Sequence, residues 1–370
     1  MIYFDNAASS PLSEGVKEVL REEMELFANP SSLHRIGFEA EKRMTLARER
    51  VAKSIGVLPE EIYFTSGGTE ADNIAIFGAV KKLRRQGNRI LTTNSEHPAV
   101  SECMKELEKE GFEIIYLSTK NGRLDPAEII SAANDKTILA AVMHTNNETG
   151  AIYDIATLSR IVKQKNPRAL VFSDGVQGYL KTPLNPSHLG VDLLSLSSHK
   201  ICGPKGVGAL YIKKGTNLPC RTFGGGQEKS IRSGTENLSG IIAFGKAAEE
   251  GFQALAENRK KMEEIRQTIM AELKEEEKIT FNLPENPSCH VLSMQVSGFR
   301  SEVLLHMLSE KDIFISSGSA CSSHKGKSPV LENFGLSPKE ADCTVRLSFS
   351  KLNTKEEAAE FCARLREMLR

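Results

Sequence analysis

Leu193-Leu194-Ser195-Leu196-Ser197-Ser198-His199-Lys200, followed by Ile201-Cys202-Gly203-Pro204-Lys205-Gly206, decides how this chain is read. An apolar run of the kind that forms a buried strand ends in small hydroxyl residues. A single lysine then stands before a glycine-rich turn. Taken alone, Ser-His-Lys is a solvated strand-to-loop turn, as most strand-end lysines are. Held out of bulk water, the same lysine has a lowered pKa and an amine able to form a Schiff base. Upstream, Phe172-Ser173-Asp174-Gly175-Val176-Gln177 sets an acid directly after a second apolar run, 169–172. Pyridoxal phosphate asks a protein for that pair: a lysine for its aldehyde and an acid to keep its pyridine nitrogen protonated.

Outward from these two runs, strands alternate with helices. Strands are expected over 61–65, 89–93, 113–117 and 138–143, and helices over 71–86, 100–110, 126–133 and 155–165. Ser13 is placed to cap a first helix, and Gly56 to end a second over 39–55. The alternation implies right-handed βαβ units and a mostly parallel sheet covered on both faces. Residues 206–213 form a closing strand whose sense the sequence leaves open. One long helix over 239–277 is expected to leave this domain. Beyond it come strands at 291–296, 313–315 and 345–349 and helices at 301–308 and 354–369. That texture is a small α+β domain, with the N-terminal lead possible as a returning strand.

The 370 residues suggest two domains. With 48 basic against 48 acidic residues, no nucleic-acid or acidic-membrane partner is indicated. No apolar run approaches the ~18–20 residues of a membrane span. Met1-Ile2-Tyr3-Phe4-Asp5 carries an acid where a signal peptide would be basic and then apolar. The seven cysteines lack framework spacing, as free thiols in a reducing compartment would. A cytoplasmic location is the expectation.

Ligands of open α/β sheets bind beyond the carboxyl ends of the strands. Ser66-Gly67-Gly68-Thr69 there is a candidate phosphate cradle, with backbone N–H groups and a helix dipole facing an anion. It is neither a P-loop nor a dinucleotide fingerprint, which sets a nucleotide-binding protein aside. His97, before Pro98, is either a core histidine or a ring laid against a planar cofactor. Asn147 and Gln177 are turn residues or ligand donors. A second concentration of chemistry is Ile315-Ser316-Ser317-Gly318-Ser319-Ala320-Cys321-Ser322-Ser323-His324-Lys325-Gly326-Lys327. A thiol in a Ser/Gly-rich loop is unusual, and the neighbouring cations would favour its thiolate. Two ligands, Cys321 and His324, are too few to argue for a metal.

With these residues assembled, the chain resembles the cysteine desulfurases of the class-V aminotransferase superfamily, in the branch with a long catalytic-cysteine loop. The resemblance rests on Tyr3-Phe4-Asp5-Asn6-Ala7-Ala8, Asn29-Pro30-Ser31-Ser32, Thr65 to Asn73, Asn146 to Gly150, Ser198-His199-Lys200, Arg232-Ser233-Gly234-Thr235 and Ser317 to Cys321, in order. The segment after Cys321 is more basic than the common pattern, which bears on the acceptor rather than the chemistry.

The resemblance implies an aspartate-aminotransferase-like fold. A large domain (13–250) would hold a mostly parallel seven-stranded sheet between helices, and a small α+β domain (1–12 and 251–370) would carry the cysteine loop. It implies pyridoxal phosphate as cofactor, with Lys200 holding it and moving the Cα proton. Asp174 would pair with the pyridine nitrogen, Gln177 with the ring hydroxyl and His97 with the ring face. Gly68, Thr69, Ser197 and His199 would bind the phosphate. Thr235 would reach the partner subunit's phosphate in a homodimer, and Asn147 and Arg346 would hold the carboxylate of L-cysteine. Cys321 would take the sulfur as a persulfide and pass it to a protein acceptor, an iron–sulfur scaffold or tRNA-thiolation enzyme. Competing readings are a selenocysteine lyase or aminotransferase of the same fold, and a non-catalytic scaffold.

Overall fold

The computed structural model describes residues 1–25, 27–219, 222–317 and 328–370. Its strands are β1 (Ile2–Tyr3), β2 (Ile62–Thr65), β3 (Arg89–Thr93), β4 (Glu113–Leu117), β5 (Thr137–Ala141), β6 (Leu170–Asp174), β7 (Leu193–Ser197), β8 (Gly208–Ile212), β9 (Ile279–Phe281), β10 (Val291–Val296), β11 (Ile313–Phe314), β12 (Ser316–Ser317) and β13 (Thr344–Ser348).

Seven of them form one sheet in the order β2-β8-β7-β6-β5-β3-β4. Pairing is parallel from β7 through β4, and β8 alone runs against both of its neighbours. The cause is the connection. Between β7 and β8 lie residues 198–207, with one 3-10 turn and no helix. A parallel crossover needs a longer connection, usually helical, so this strand turns back. β5, β6 and β7 are buried at every residue, which is why they read as apolar runs rather than alternating ones.

Each face of the sheet has its own core. One gathers Phe64, Leu91, Val142, Leu196 and Phe244; the other gathers Ile74, Met104, Leu139, Phe172 and Leu210. A third core lies in the remainder of the chain, around Phe4, Met294, Leu347 and Phe361. Phe4 packs edge-on against Phe349 and Phe361. β1 pairs in parallel with β11, and β12-β13-β10-β9 form an antiparallel sheet, so the N-terminal lead does return to the C-terminal part.

The long helix expected over 239–277 is instead two, Leu238–Gln253 and Leu255–Leu273, parted at Ala254. The first packs on the sheet core through Phe244 and Ala247. Gly251 meets Leu180 so closely that an added Cβ would lie 2.8 Å from Leu180 Cδ1. The second helix turns Met262, Ile265, Ile269 and Leu273 to the third core. Two apolar faces aimed at two cores cannot lie on one straight axis. The second helix of the chain starts earlier than expected, at Arg35, because His34 Nδ1 accepts the Gly37 N–H. β9 and the short helices Pro329–Phe334 and Pro338–Asp342 were not foreseen from the sequence.

The outer strand of the sheet is tied down by an ion pair. Arg48 Nη1 and Nη2 donate to Glu228 at 2.8 and 2.7 Å, and Glu228 Oε2 accepts the Phe64 N–H at 2.9 Å. Glu228, Lys229 and Ser230 all hold left-handed backbone (φ 49, 53 and 65°), a strained turn that this ion pair fixes. Glu228→Ala should therefore cost about 3–5 kcal/mol in urea unfolding, the usual cost of stranding one partner of a buried pair. A loss under about 1 kcal/mol would show that the pair is solvated, as exposed pairs are.

Candidate active site

The carboxyl ends of β2 and β7 are held level by Gly208, which pairs with Thr65 on one side and Ser197 on the other. Only glycine fits there: an added Cβ would lie 2.6 Å from Leu196 O and 2.7 Å from Gly67 C. The turn Ser66-Gly67 and the segment Ser198-His199-Lys200 are thereby placed side by side.

They enclose a cavity of about 400 Å³ lined by Gly67, Gly68, Thr69, Ser197, His199 and Lys205. The helix Gly68–Leu83 opens into it, presenting backbone N–H groups and the positive end of the dipole. At Gly68 a Cβ would meet Val176 Cγ2 at 2.8 Å. The Ser197 hydroxyl is buried with no hydrogen-bond partner among the described residues. His199 Nδ1 lies 3.2 Å from Ser9 Oγ. Burial, then the charges of Lys200, Lys181 and Lys205, push its pKa down to about 4, so the ring is neutral and keeps one N–H to donate. Four expected phosphate-binding residues thus line one anion-suited cavity. Thr235 does not: it is exposed, before the helix Leu238–Gln253. Its loop is moored near the cavity through Arg232, which pairs with Glu70 at 3.1 Å.

Lys200, Asp174, His97 and Gln177 also converge. Lys200 Nζ donates to Ala7 O at 2.6 Å and Ala8 O at 2.7 Å. Gln177 Nε2 donates to Ala7 O at 2.9 Å, while its Oε1 is buried with no partner among the described residues. Asp174 is buried, its Oδ1 accepting the Val176 N–H at 2.9 Å. Burial raises its pKa, against the opposing pull of His97 and Lys200. His97 Nδ1 accepts the Ala99 N–H at 3.1 Å, capping the helix Pro98–Lys109, which leaves Nε2 to carry the ring proton. Burial lowers the His97 pKa, Asp174 raises it and Lys200 lowers it. Three groups that feel one another's charge in this way form one electrostatic unit.

Arg346, on β13, comes from the other sheet. Nη1 donates to Asn147 O at 2.9 Å, Nη2 pairs with Asp5 Oδ1 at 2.8 Å, and Nε is buried with no partner among the described residues. Arg346 and Asn147 are therefore together, with a carboxylate already on the guanidinium. Cys321, Lys325 and Lys327 lie outside the described residues. Of their described neighbours, Ser316 and Ser317 pair with Arg346 and Val345, and Ser328 Oγ donates to Glu148 Oε2 at 2.7 Å. Burial pushes the Glu148 pKa up to about 7.

The residues present fit pyridoxal phosphate. There is an anion cradle with an unused hydroxyl, an amine beside it, a buried carboxyl and an amide with an unused oxygen. Several participants were not singled out from the sequence: Asp5, whose partner is 341 residues away, the carbonyls of Ala7 and Ala8, and the buried acids Asp72, Glu96 and Glu148. For Asp72 the signal was available, an acid on the apolar face formed by Ala71, Ala75 and Ile76.

The class-V aminotransferase family model matches residues 2–361. The chain is 37% identical over 365 residues to the cysteine desulfurase IscS of Proteus mirabilis (strain HI4320), covering 96% of this chain and 89% of that protein. It is 39% identical over 361 residues to the cysteine desulfurase IscS of Dictyoglomus turgidum (strain DSM 6724 / Z-1310), covering 96% and 91%. Among solved structures, a NifS-like protein superposes with a TM-score of 0.94 at 36% identity, over 100% of this chain and 99% of that one. A structure of SspA in complex with cysteine superposes with a TM-score of 0.84 at 31% identity, over 95% and 99%.

Glu96 makes the electrostatics testable. It accepts from Thr93 Oγ1 at 2.7 Å and from the Met143 N–H, and burial pushes its pKa up to about 8. The folded chain thus holds a proton there that the unfolded chain loses above its ordinary pKa of 4.5. Stability must fall as pH rises from 4.5 toward 8. In urea unfolding of the cofactor-free protein, Glu96→Gln should lose less stability than wild type between pH 5 and pH 8. Parallel losses would mean that Glu96 is ionised in the fold.

Proposed function

This chain belongs to the class-V aminotransferase family, and on that premise we propose that it is a pyridoxal-phosphate-dependent cysteine desulfurase. It converts L-cysteine to L-alanine and retains the sulfur on Cys321. The observation that carries the reading is the convergence at the carboxyl ends of the sheet's strands of Lys200, the buried Asp174 and the cavity at Gly68. When bound there, the cofactor supplies an aldehyde for an amine and a ring that accepts the electron pair released at Cα.

The chain's own residues do the rest. Gly68, Thr69, Ser197 and His199 bind the phosphate, and Gln177 offers its unused amide oxygen to the ring hydroxyl. Asp174 would keep the pyridine nitrogen protonated, and His97, with Nε2 as its proton-bearing atom, would pair with the ring face. Lys200 would hold the aldehyde, and its free amine would carry the Cα proton. Asn147 and Arg346 receive the substrate carboxylate. Arg346 would exchange Asp5 for it, one carboxylate for another.

Cys321, as thiolate, attacks the substrate sulfur. An S–S bond forms, the C–S bond breaks, and the electron pair left on the carbon fragment is protonated to give alanine. The persulfide then passes its sulfur to a protein acceptor of the iron–sulfur-assembly or tRNA-thiolation class. Lys325 and Lys327 favour the thiolate or an acidic acceptor.

A homodimer is part of the reading. Met24, Phe27, Leu33 and Phe38 expose apolar surface around the first helix–helix connection, and Phe223 does so beside the loop of Thr235. A second copy covering these side chains would bring Thr235 to its partner's phosphate. The domain division follows the cores: 13–250 around the large sheet, and 1–12 with 251–370 around the third core. No helix among the described residues is long and apolar enough to cross a membrane, and the cytoplasm is the proposed location.

Alanine released from L-cysteine in the presence of a thiol reductant should collapse in Cys321→Ala while bound cofactor persists. Equal release by both proteins would remove Cys321 from the reaction. Arg346→Lys should raise KM for L-cysteine about tenfold or more, because an ammonium cannot bind a carboxylate bidentately. An unchanged KM would put the carboxylate elsewhere.

A further inference from the structure

The way Arg346 holds Asp5 decides what can replace it. Asp5 Oδ1 accepts from Nη2 at 2.8 Å, and Nη1 is turned to Asn147 O at 2.9 Å. Nε and Nη2 lie along one edge of a guanidinium, where a flat carboxylate can accept from both. Asp5 takes Nη2 alone. Nε beside it is buried with no hydrogen-bond partner among the described residues. A carboxylate spanning that edge would therefore gain one charge-assisted bond that Asp5 does not make.

Asp5 is also unable to leave with its main chain. On either side of it the Ser348 N–H donates to Phe4 O at 2.7 Å and the Ala7 N–H to Ser348 Oγ at 2.8 Å. The buried Asn6 adds its amide to Ser348 O at 3.0 Å, and Asp5 O accepts the Ala8 N–H at 3.0 Å. Only rotation of its side chain can take Asp5 off Arg346, and the carboxylate then stays close by. The two partners differ in their access to water. The Asp5 side chain is 22% exposed and that of Arg346 only 7%, so a displaced Asp5 can be hydrated, whereas a bared Arg346 needs another anion. The same turn gives Ala7 O to both Lys200 and Gln177, which fixes Asp5 at the site itself.

We propose that Asp5 is a specificity-determining residue, a tethered carboxylate that closes Arg346 to neutral groups and to anions making a single contact. It yields to a carboxylate that spans Nε and Nη2, the form an amino acid substrate brings. A single-contact anion only replaces one bond by its equal, and it must do so against a partner held at high effective concentration. That the favoured ligand is the substrate rests on the proposed function; the block that Asp5 places on Arg346 does not.

Two measurements test this. In the first, urea unfolding of the full chain is followed against sodium propionate and sodium chloride, each response being read relative to Arg346→Gln to remove general salt effects. Propionate should stabilise wild type and chloride should not. In Asp5→Asn the apparent affinity for propionate should rise about tenfold, roughly one hydrogen bond to a charged group, and chloride should now stabilise as well. A structural Asp5 would lower stability in the variant and leave its response to both anions as in wild type, which would overturn the proposal. So would a wild type that responds equally to chloride and propionate. If Asp5→Asn does not fold, Asp5→Ser makes the same comparison.

In the second, protein loaded with pyridoxal phosphate is titrated with L-alanine and with ethylamine, which lacks the carboxylate, and the cofactor absorption is recorded. Asp5→Asn should bind L-alanine about tenfold more tightly and ethylamine within about twofold of wild type. Equal changes for the two amines would overturn a role directed at the carboxylate. Absence of any response to L-alanine in both proteins would sink the functional reading instead, and the anion titration would still decide the role of Asp5.

Discussion

The site depends on one piece of backbone register. β8 runs antiparallel between β2 and β7 and pairs Gly208 with both Thr65 and Ser197. That single residue levels the ends of two strands distant in sequence and brings the mouth of the helix Gly68–Leu83 beside Lys200. Main-chain hydrogen bonds fix the relation, so it does not rest on rotamers. A glycine is required because two backbones press on the space a Cβ would fill.

On this frame the chain buries titratable groups in forms they do not adopt in water. Burial holds the carboxyls of Asp174, Asp72 and Glu96 toward the protonated form, and it holds His97, His199, His290 and the amine of Lys181 toward the neutral form. Lys181 and His290 are buried with no side-chain hydrogen-bond partner among the described residues. Such groups oppose folding; those at the carboxyl ends of the large sheet's strands, Asp174, His97 and His199, mark where stability is given up to chemistry. A cationic ring nitrogen beside Asp174 would relieve part of that cost, so cofactor and fold should stabilise each other.

How far the sequence could be read follows from which contacts are local. Lys200 and Asp174 stood out because a charged residue just past a buried, largely apolar run is conspicuous, and β6 and β7 are largely apolar because every residue in them is buried. The cradle was legible from glycine and hydroxyl residues before a helical run. The direction of β8 was not, because it depends on the absence of a crossover helix rather than on its own residues. Nor was the break at Ala254, where helical periodicity continues while the core it faces changes. The Asp5–Arg346 pair joins residues from opposite ends of the chain, and no spacing announces it. Asp72 was overlooked inside a helix face that otherwise reads as plain core. The functional roles leaned on the family resemblance; residue chemistry alone reached only a pyridoxal-phosphate enzyme.

The central claim is that Lys200 is the lysine that holds the cofactor. It is tested most directly by loading the protein with pyridoxal phosphate, reducing with borohydride and mapping the labelled peptide by mass spectrometry. The account predicts one phosphopyridoxyl group, on the peptide containing Lys200, and none in Lys200→Ala. Labelling at Lys181, Lys205 or another lysine, with Lys200 unmodified, would contradict it.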